Sequence, residues 1–432
     1  MDPVNHGLVG IAAGLSILTA RRPKASWQTQ LVVALCGLGA GEVPDADRIF
    51  DAVMHPYDPE GQGLAYMLYH RGPLHTLIFC LLAALTLALL FRFVARKWAP
   101  PLGLLFAVAL VGSCLHLAMD GMNDYGVHPF CPWSQRWFYG DFLFLAEPTV
   151  GAALLPYVFV AFGSQLEADT ARRAARAAGV GVLAFILLLV AHQWLKLFGA
   201  VVASLWLFLQ AFLQRRGPRP LIAWASLGLA LACFFATSRF ARARALDWIS
   251  GGTERSSSPD VVTTPAPANP FCWRVITVER RGDAFRVQLG ITSLWPSLVQ
   301  TGDCFAPPGG PVPRAACGVA LPPEITKQTA KDKIWKLAEF SGRVSEFEQM
   351  AKDNPRVGAT RHFLRAPFWG PDARGGASDC PEACRPRRTL IGDMRVDYDR
   401  DDLGEYCKYS FLPKKREPYE QLMPVGDPPF FR

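Results

Sequence analysis

Four of the eight histidines and three aspartates fall into four short signatures near the start of the chain. These are His6, Pro44-Asp45-Ala46-Asp47, His70-Arg71-Gly72-Pro73-Leu74-His75, and His116-Leu117-Ala118-Met119-Asp120 running on into Asn123-Asp124-Tyr125-Gly126. Imidazole and carboxylate together suit Zn²⁺, Mn²⁺ or Fe²⁺, whereas an all-oxygen set would suit Mg²⁺ or Ca²⁺. Three or four such ligands with a position left open lower the pKa of bound water and polarise a phosphoryl or carbonyl oxygen. His116 and Asp120 are spaced i, i+4, so a helix projects both from one face toward a single ion. Pro73 suits the first turn of a helix, which puts His75 near that helix start and His70 on the loop before it. The candidate metal ligands are therefore His6, Asp45, Asp47, His70, His75, His116 and Asp120. They suffice for one or two ions, with zinc expected first and manganese or iron as alternatives. Asp47 and His70 are the candidates for proton transfer.

Each signature also has an ordinary reading. A lone histidine at a membrane interface, such as His6, is commonly structural, and Asp45 and Asp47 could form an Asx-turn beside Pro44. Arg71 either contacts an anionic substrate or pairs with an aspartate. Tyr125, Trp137 and Asp141 either line the mouth of a site or belong to an interfacial belt. What favours a site is the depth at which the surrounding elements would place the ligands.

Those elements are membrane spans. Residues 1–250 carry 33 Asp, Glu, Lys and Arg, while the shorter remainder, 251–432, carries 49. Runs at 74–94 and 102–119 are nearly free of charge and about 20 residues long, enough to cross a bilayer. Further runs lie at 145–163, 179–197, 199–213 and 221–237. Two short runs rich in Gly and Ala, 7–20 and 31–43, fit buried core helices or partial spans as readily as crossings, and their small residues would let them pack closely inside a bundle. No cleaved signal is expected at Met1-Asp2.

Basic clusters follow alternate runs: Arg21, Arg22 and Lys24; Arg96 and Lys97; Arg172, Arg173 and Arg176; Arg215, Arg216 and Arg219. The positive-inside rule makes those loops cytoplasmic, so the chain starts outside, crosses eight times and ends outside. Arg239, Arg242 and Arg244 object to this count. Merging the sixth and seventh runs into one bent helix would satisfy them and put the tail in the cytoplasm. On the preferred count all four signatures meet at the outer rim, and on either hand they share one depth. The net charge of +8 is explained by these topogenic clusters, and no nucleic-acid partner is expected.

The expected fold class is mainly α. A polytopic transmembrane bundle of about six to eight helices precedes a small soluble α+β or β-rich C-terminal domain. The division runs 1–165 for the metal-site bundle, 166–250 for additional spans, 251–270 for a Pro/Ser-rich linker and 271–432 for the tail. In the tail, Cys272–Val278 and Ala284–Leu289 read as a hairpin, 327–350 as a helix, and 362–369 and 389–398 as strands. Trp273, Trp295, Trp335 and Trp369 are its expected core anchors. Six cysteines (Cys272, Cys304, Cys317, Cys380, Cys384, Cys407) suggest up to three disulfides in an oxidising compartment, against a lesser zinc reading of Cys380 and Cys384.

The motifs resemble those of the bacterial inner-membrane metal-dependent hydrolases, also labelled LexA-binding, inner-membrane-associated hydrolases. The resemblance rests on the early histidine, the Pro-Asp-x-Asp, the His-Arg-Gly-x-x-His-Thr and the His-x-x-x-Asp ahead of Asn-x-Tyr-Gly. It covers 1–165 and extends to Asn269-Pro270-Phe271-Cys272-Trp273-Arg274, with Thr76 standing where Ser is common. It implies a polytopic membrane protein whose metal-dependent hydrolytic site is carried by the seven candidates above. The expected function is hydrolysis of an ester or phosphodiester at a periplasmic-side mouth, with membrane lipids or a small molecule as substrate. The alternatives are a metal transporter or sensor that turns nothing over, and a non-catalytic scaffold with an unnamed protein partner.

Overall fold

The computed structural model describes residues 2–47, 71–163, 181–182, 186, 190, 195–250, 259–305, 334–353, 361, 364–371, 389–393 and 395. Among these, eight α-helices combine with six strands in two antiparallel sheets, as the mainly helical expectation requires.

Helix α1 (Pro3–Arg21) starts where Asp2 accepts a hydrogen bond from the Asn5 amide, with Pro3 in the first turn, where its missing N–H costs nothing. A tight turn leads to α2 (Trp27–Glu42), capped by Ser26. The two helices meet glycine to glycine: a Cβ on Gly10 would lie 2.1 Å from the Gly37 carbonyl oxygen, and one on Gly41 would lie 2.4 Å from that of His6. Only glycine permits this approach, and it brings the start of α1 against the end of α2. After a 3-10 turn at Val43–Ala46 and a second at Pro73–His75, α3 (Leu77–Val94) begins at a Thr76 cap and α4 (Leu102–Asp120) returns beside it. Both short Gly/Ala runs are thus helices packed closely against each other, with Leu31 and Leu35 of α2 exposed, and α3, with exposed Leu81, Leu82, Leu89 and Phe93, faces outward. By length and hydropathy α1, α3, α4, α6 (Leu197–Gln214) and α7 (Pro220–Ser250) can each cross a membrane, and α5 (Pro148–Gly163) is shorter but apolar.

Helix α5 sets out from the same rim as α1, since Asn5 Nδ2 donates to the Glu147 carbonyl at 3.1 Å. The chain is back at that rim by Leu195, which packs with Ala268. Helix α6 leaves the rim and α7 climbs back, so the tail shares one rim with the start of α1. The rival hand, with the sixth and seventh runs as one helix, does not give this arrangement; most of 179–197 lies outside the described residues. Two of the three objecting arginines, Arg242 and Arg244, have a local explanation. Arg242 donates to the Val261 carbonyl at 2.6 Å, and Arg244 to Thr292 Oγ1 at 3.1 Å and to the Ser293 carbonyl. They tie α7 to the tail sheet, and the topogenic count need not include them.

In the tail, β1 (Asp260–Ala266), β2 (Asn269–Arg281), β3 (Ala284–Ser293) and β4 (Trp335–Arg343) form a sheet in that order, and β5 (Pro367–Pro371) pairs with β6 (Thr389–Asp393). The β2–β3 hairpin is the expected one, with Gly282 at φ 61° in its turn. Three expectations change. The stretch expected as linker contains β1: Val261, Val262, Thr263 and Thr264 are β-branched, and Pro265 is tolerated at a bulge on an edge strand. The helix expected at 327–350 is, in its described part from 334 on, instead β4 followed by α8 (Val344–Asp353). Its Lys-Leu-Ala-Glu composition favours a helix, but the open edge of β3 recruits it and sets Phe340 opposite Val287. Helix α8 starts only where Asp283 receives the Ser345 amide at 2.8 Å. Trp273 and Trp369 are buried anchors, Trp335 is half-buried, and Trp295 is 55% exposed and meets Phe271 edge-on at 5.8 Å rather than filling the core. Cys272 and Cys304 form a disulfide. Cys317, Cys380, Cys384 and Cys407 lie outside the described residues.

Candidate metal centre

Three elements deliver four polar side chains to the rim. The 3-10 turn after α2 supplies Asp45, the one before α3 supplies His75, and the last turns of α4 supply His116 and Asp120. Each offers one ligand atom, and these atoms lie within 4.8 Å of one another, all in buried side chains. His75 Nε2 lies 3.3 Å from His116 Nε2, 3.4 Å from Asp45 Oδ1 and 3.3 Å from Asp120 Oδ2. His116 Nε2 lies 3.4 Å from Asp120 Oδ2 and 3.8 Å from Asp45 Oδ1. Bonds of about 2.0–2.2 Å to a tetrahedral ion imply donor separations of about 3.3–3.6 Å. Five of the six edges therefore fall at or just beyond the expected length, and the donor set is the N/O set such an ion prefers.

The surroundings point both imidazoles the same way. His116 Nδ1 lies 2.6 Å from the Gly41 carbonyl, which can only accept, so Nδ1 carries the proton and Nε2 keeps its lone pair. His75 Nδ1 lies 3.5 Å from Asp47 Oδ2. A carboxylate or carbonyl behind a ligating histidine is the usual outer support of a metal site. Burial raises the Asp45 carboxyl, but the His75 hydrogen bond and the imidazole charges outweigh it and hold the group well below the usual carboxylate range. Asp45 Oδ2 is buried with no hydrogen-bond partner among the described residues.

Of the seven candidates, the structure brings these four into one set and places two beside it. Asp47 sits behind His75 and accepts the Arg71 amide at 3.0 Å. His6 stacks on His116 with ring centroids 3.7 Å apart, and its Nε2 lies 3.4 Å from Asp120 Oδ1. His70 lies outside the described residues. Arg71 resolves toward pairing: its guanidinium donates to Asp120 Oδ1 at 2.8 Å, Asn123 Oδ1 at 3.1 Å and the Gly126 carbonyl at 2.6 Å. Asn123 was not among the candidates, although its place in Asn-x-Tyr-Gly, three residues past a ligand, was a usable signal. Asp141 is buried against Arg365, and Trp137 packs edge-on to His128 with centroids 4.8 Å apart; neither is a belt residue.

The fold and site define a polytopic membrane protein with a buried two-histidine, two-aspartate cluster able to hold a metal ion. Residues 1–200 match the family model described as YdjM inner membrane protein, consistent with a bacterial inner-membrane family. No curated protein and no solved structure matches the chain. The match takes in every candidate ligand and stops short of the tail.

Proposed function

We propose that the protein is a membrane-bound metal-dependent hydrolase acting on an ester or phosphodiester, of a lipid or of a small molecule that reaches the headgroup level. The observation that carries the reading is the set of four buried donors with near-tetrahedral spacing and both Nε2 atoms turned inward. A divalent ion held there, zinc first and manganese or iron as alternatives, supplies Lewis acidity and acidifies water at neutral pH. Asp45, His75, His116 and Asp120 bind it. Asp47 and the Gly41 carbonyl orient the imidazoles, and Arg71 offsets the charge of Asp120. Asp47 and His70 remain the proposed proton carriers, and His6 is placed to join them through Asp120. Burial excludes bulk water and strengthens each of these contacts.

We place the site and the tail on the periplasmic side. The Cys272–Cys304 disulfide suits an oxidising compartment, and Arg21, Arg22, Lys24, Arg96, Lys97, Arg215, Arg216 and Arg219 sit at the opposite end of their helices.

One observation favours a second reading. Four protein ligands is the count of a closed, structural zinc site, and a catalytic site keeps a position open. On that reading the ion locks the bundle, or is sensed or carried, without turnover. Elemental analysis of the purified protein and a panel of lipids, esters and phosphodiesters separate the two. Bound metal with metal-dependent cleavage supports the hydrolase. Stoichiometric metal with no cleavage across the panel replaces it with the structural or sensing role.

A further inference from the structure

The polar network around the site continues into the C-terminal domain. Three acceptors for Arg71 Nη1 (the Asp120 carbonyl, Asn123 Oδ1 and the Gly126 carbonyl) all belong to the turn 120–126, and Arg71 itself is held at φ 59°. That turn also presents Tyr125, and two guanidinium groups sit over its ring. Arg71 lies 5.2 Å from the ring centroid and Arg395 of the tail lies 5.7 Å from it. Arg395 is buried, fixed by Asp393 through two contacts of 2.9 Å, and donates to the Asp124 carbonyl at 2.9 Å. Thr264 Oγ1 holds Asp124 Oδ2 at 2.6 Å. Farther along the same face, buried Arg365 grips Asp141 at 2.6 and 2.9 Å and Asp260 at 2.7 Å. Asp141 in turn donates its amide to the Asn123 carbonyl at 3.4 Å.

We infer that Arg395 and Tyr125 are positioning residues for the metal centre: the C-terminal domain, through Arg395 on Tyr125 and Asp124, holds the 120–126 turn that fixes Arg71 and the Asp120 carboxylate. This rests on the metal reading of the site. The physical need is specific. Arg71 is a buried cation 2.8 Å from a carboxylate that must also face a metal cation. Its long side chain keeps clear of the ion only while its three other acceptors stay fixed. Buried arginines are costly unless fully paired, and a simple packing contact would use apolar side chains instead. Here Arg71 and Arg395, both buried, are each matched to a carboxylate and both reach the turn that follows Asp120. Coupling of this kind is reciprocal, so metal also tightens tail docking.

The test uses the full chain in lipid nanodiscs, stripped by a chelator and titrated with Co²⁺, whose visible spectrum reports ligand geometry. Arg395→Ala and Tyr125→Ala are each expected to bind Co²⁺ roughly tenfold more weakly than the wild type, with a shifted band, as outer-shell losses do. Tyr125→Phe keeps the ring and retains wild-type affinity and spectrum. The double variant Arg395→Ala/Tyr125→Ala loses less than the two single losses combined, because both remove the Arg395–Tyr125 contact. Should Arg395→Ala fail to fold, the comparison of Tyr125→Ala with Tyr125→Phe still decides. Wild-type cobalt binding in both alanine variants overturns the inference, as does an equal loss in Tyr125→Phe and Tyr125→Ala. A wild-type chain that takes up no cobalt overturns the metal reading itself, whereas normal uptake without hydrolysis bears only on the reaction.

Discussion

His116 is held at both ends of its ring, by the Gly41 carbonyl at Nδ1 and by the cluster at Nε2. Replacing it with Ala removes a ligand, and metal content by elemental analysis is expected to fall to background. On the proposed metal reading Asp47 would act on the ion only through His75, so Asp47→Asn is expected to weaken metal affinity by roughly 10–100-fold while leaving the protein able to load at high metal concentration. Equal loss in both variants would make Asp47 a direct ligand. The distinction between the two aspartates of Pro-Asp-x-Asp comes from their positions on a 3-10 turn, where residues two apart cannot face the same point.

At the scale of elements, the glycine contact between α1 and α2 sets the floor of the site. Gly10→Ala would put a methyl 2.1 Å from the Gly37 carbonyl, and separating the helices is expected to cost about 1–3 kcal/mol. Because Gly41 holds His116, metal affinity should fall with stability, and thermal unfolding in detergent with and without metal reads both. Another element contact carries a pH signature. Glu147, in the loop before α5, is buried and accepts from the Thr149 amide and hydroxyl and from the Ala268 amide of the tail. Burial outweighs those donors and raises its carboxyl to about 7. The folded state therefore keeps its proton where the unfolded chain has lost it. Stability contributed by this group is fully present below about pH 4.5, declines as pH rises to about 7, and is flat above, a span of order 3 kcal/mol. Glu147→Gln should abolish that slope, measured as unfolding midpoint against pH.

For the whole molecule, the tail and the site stand on one rim, and the disulfide bears on which compartment that is. Joining Cys272 to Cys304 closes a loop 32 residues apart, and removing it is expected to cost about 3–4 kcal/mol by chain entropy. Labelling of the tail by an impermeant reagent on intact cells should occur without lysis. Labelling that requires lysis would put the rim in the cytoplasm and remove the oxidising environment from the argument.

The sequence by itself determined the helical class, most of the spans, the β2–β3 hairpin and the pool of seven candidates from which the His/Asp cluster is drawn. Hydropathy over twenty residues and the i, i+4 spacing of His116 and Asp120 are local signals that need no partner to be read. The convergence of distant signatures at one depth was also legible, because alternating crossings permit only two rims. Only the tertiary structure separated the members of the cluster from the residues behind it, since Asp45 and Asp47, or His6 and His116, differ in where their side chains point and not in chemistry. It also turned Lys-Leu-Ala-Glu into strand β4, through an unpaired sheet edge that no local pattern encodes. The same holds for Arg71, Arg365 and Arg395. A guanidinium can meet a substrate, a lipid or a carboxylate, and which one it meets depends on chain brought from up to 271 residues away.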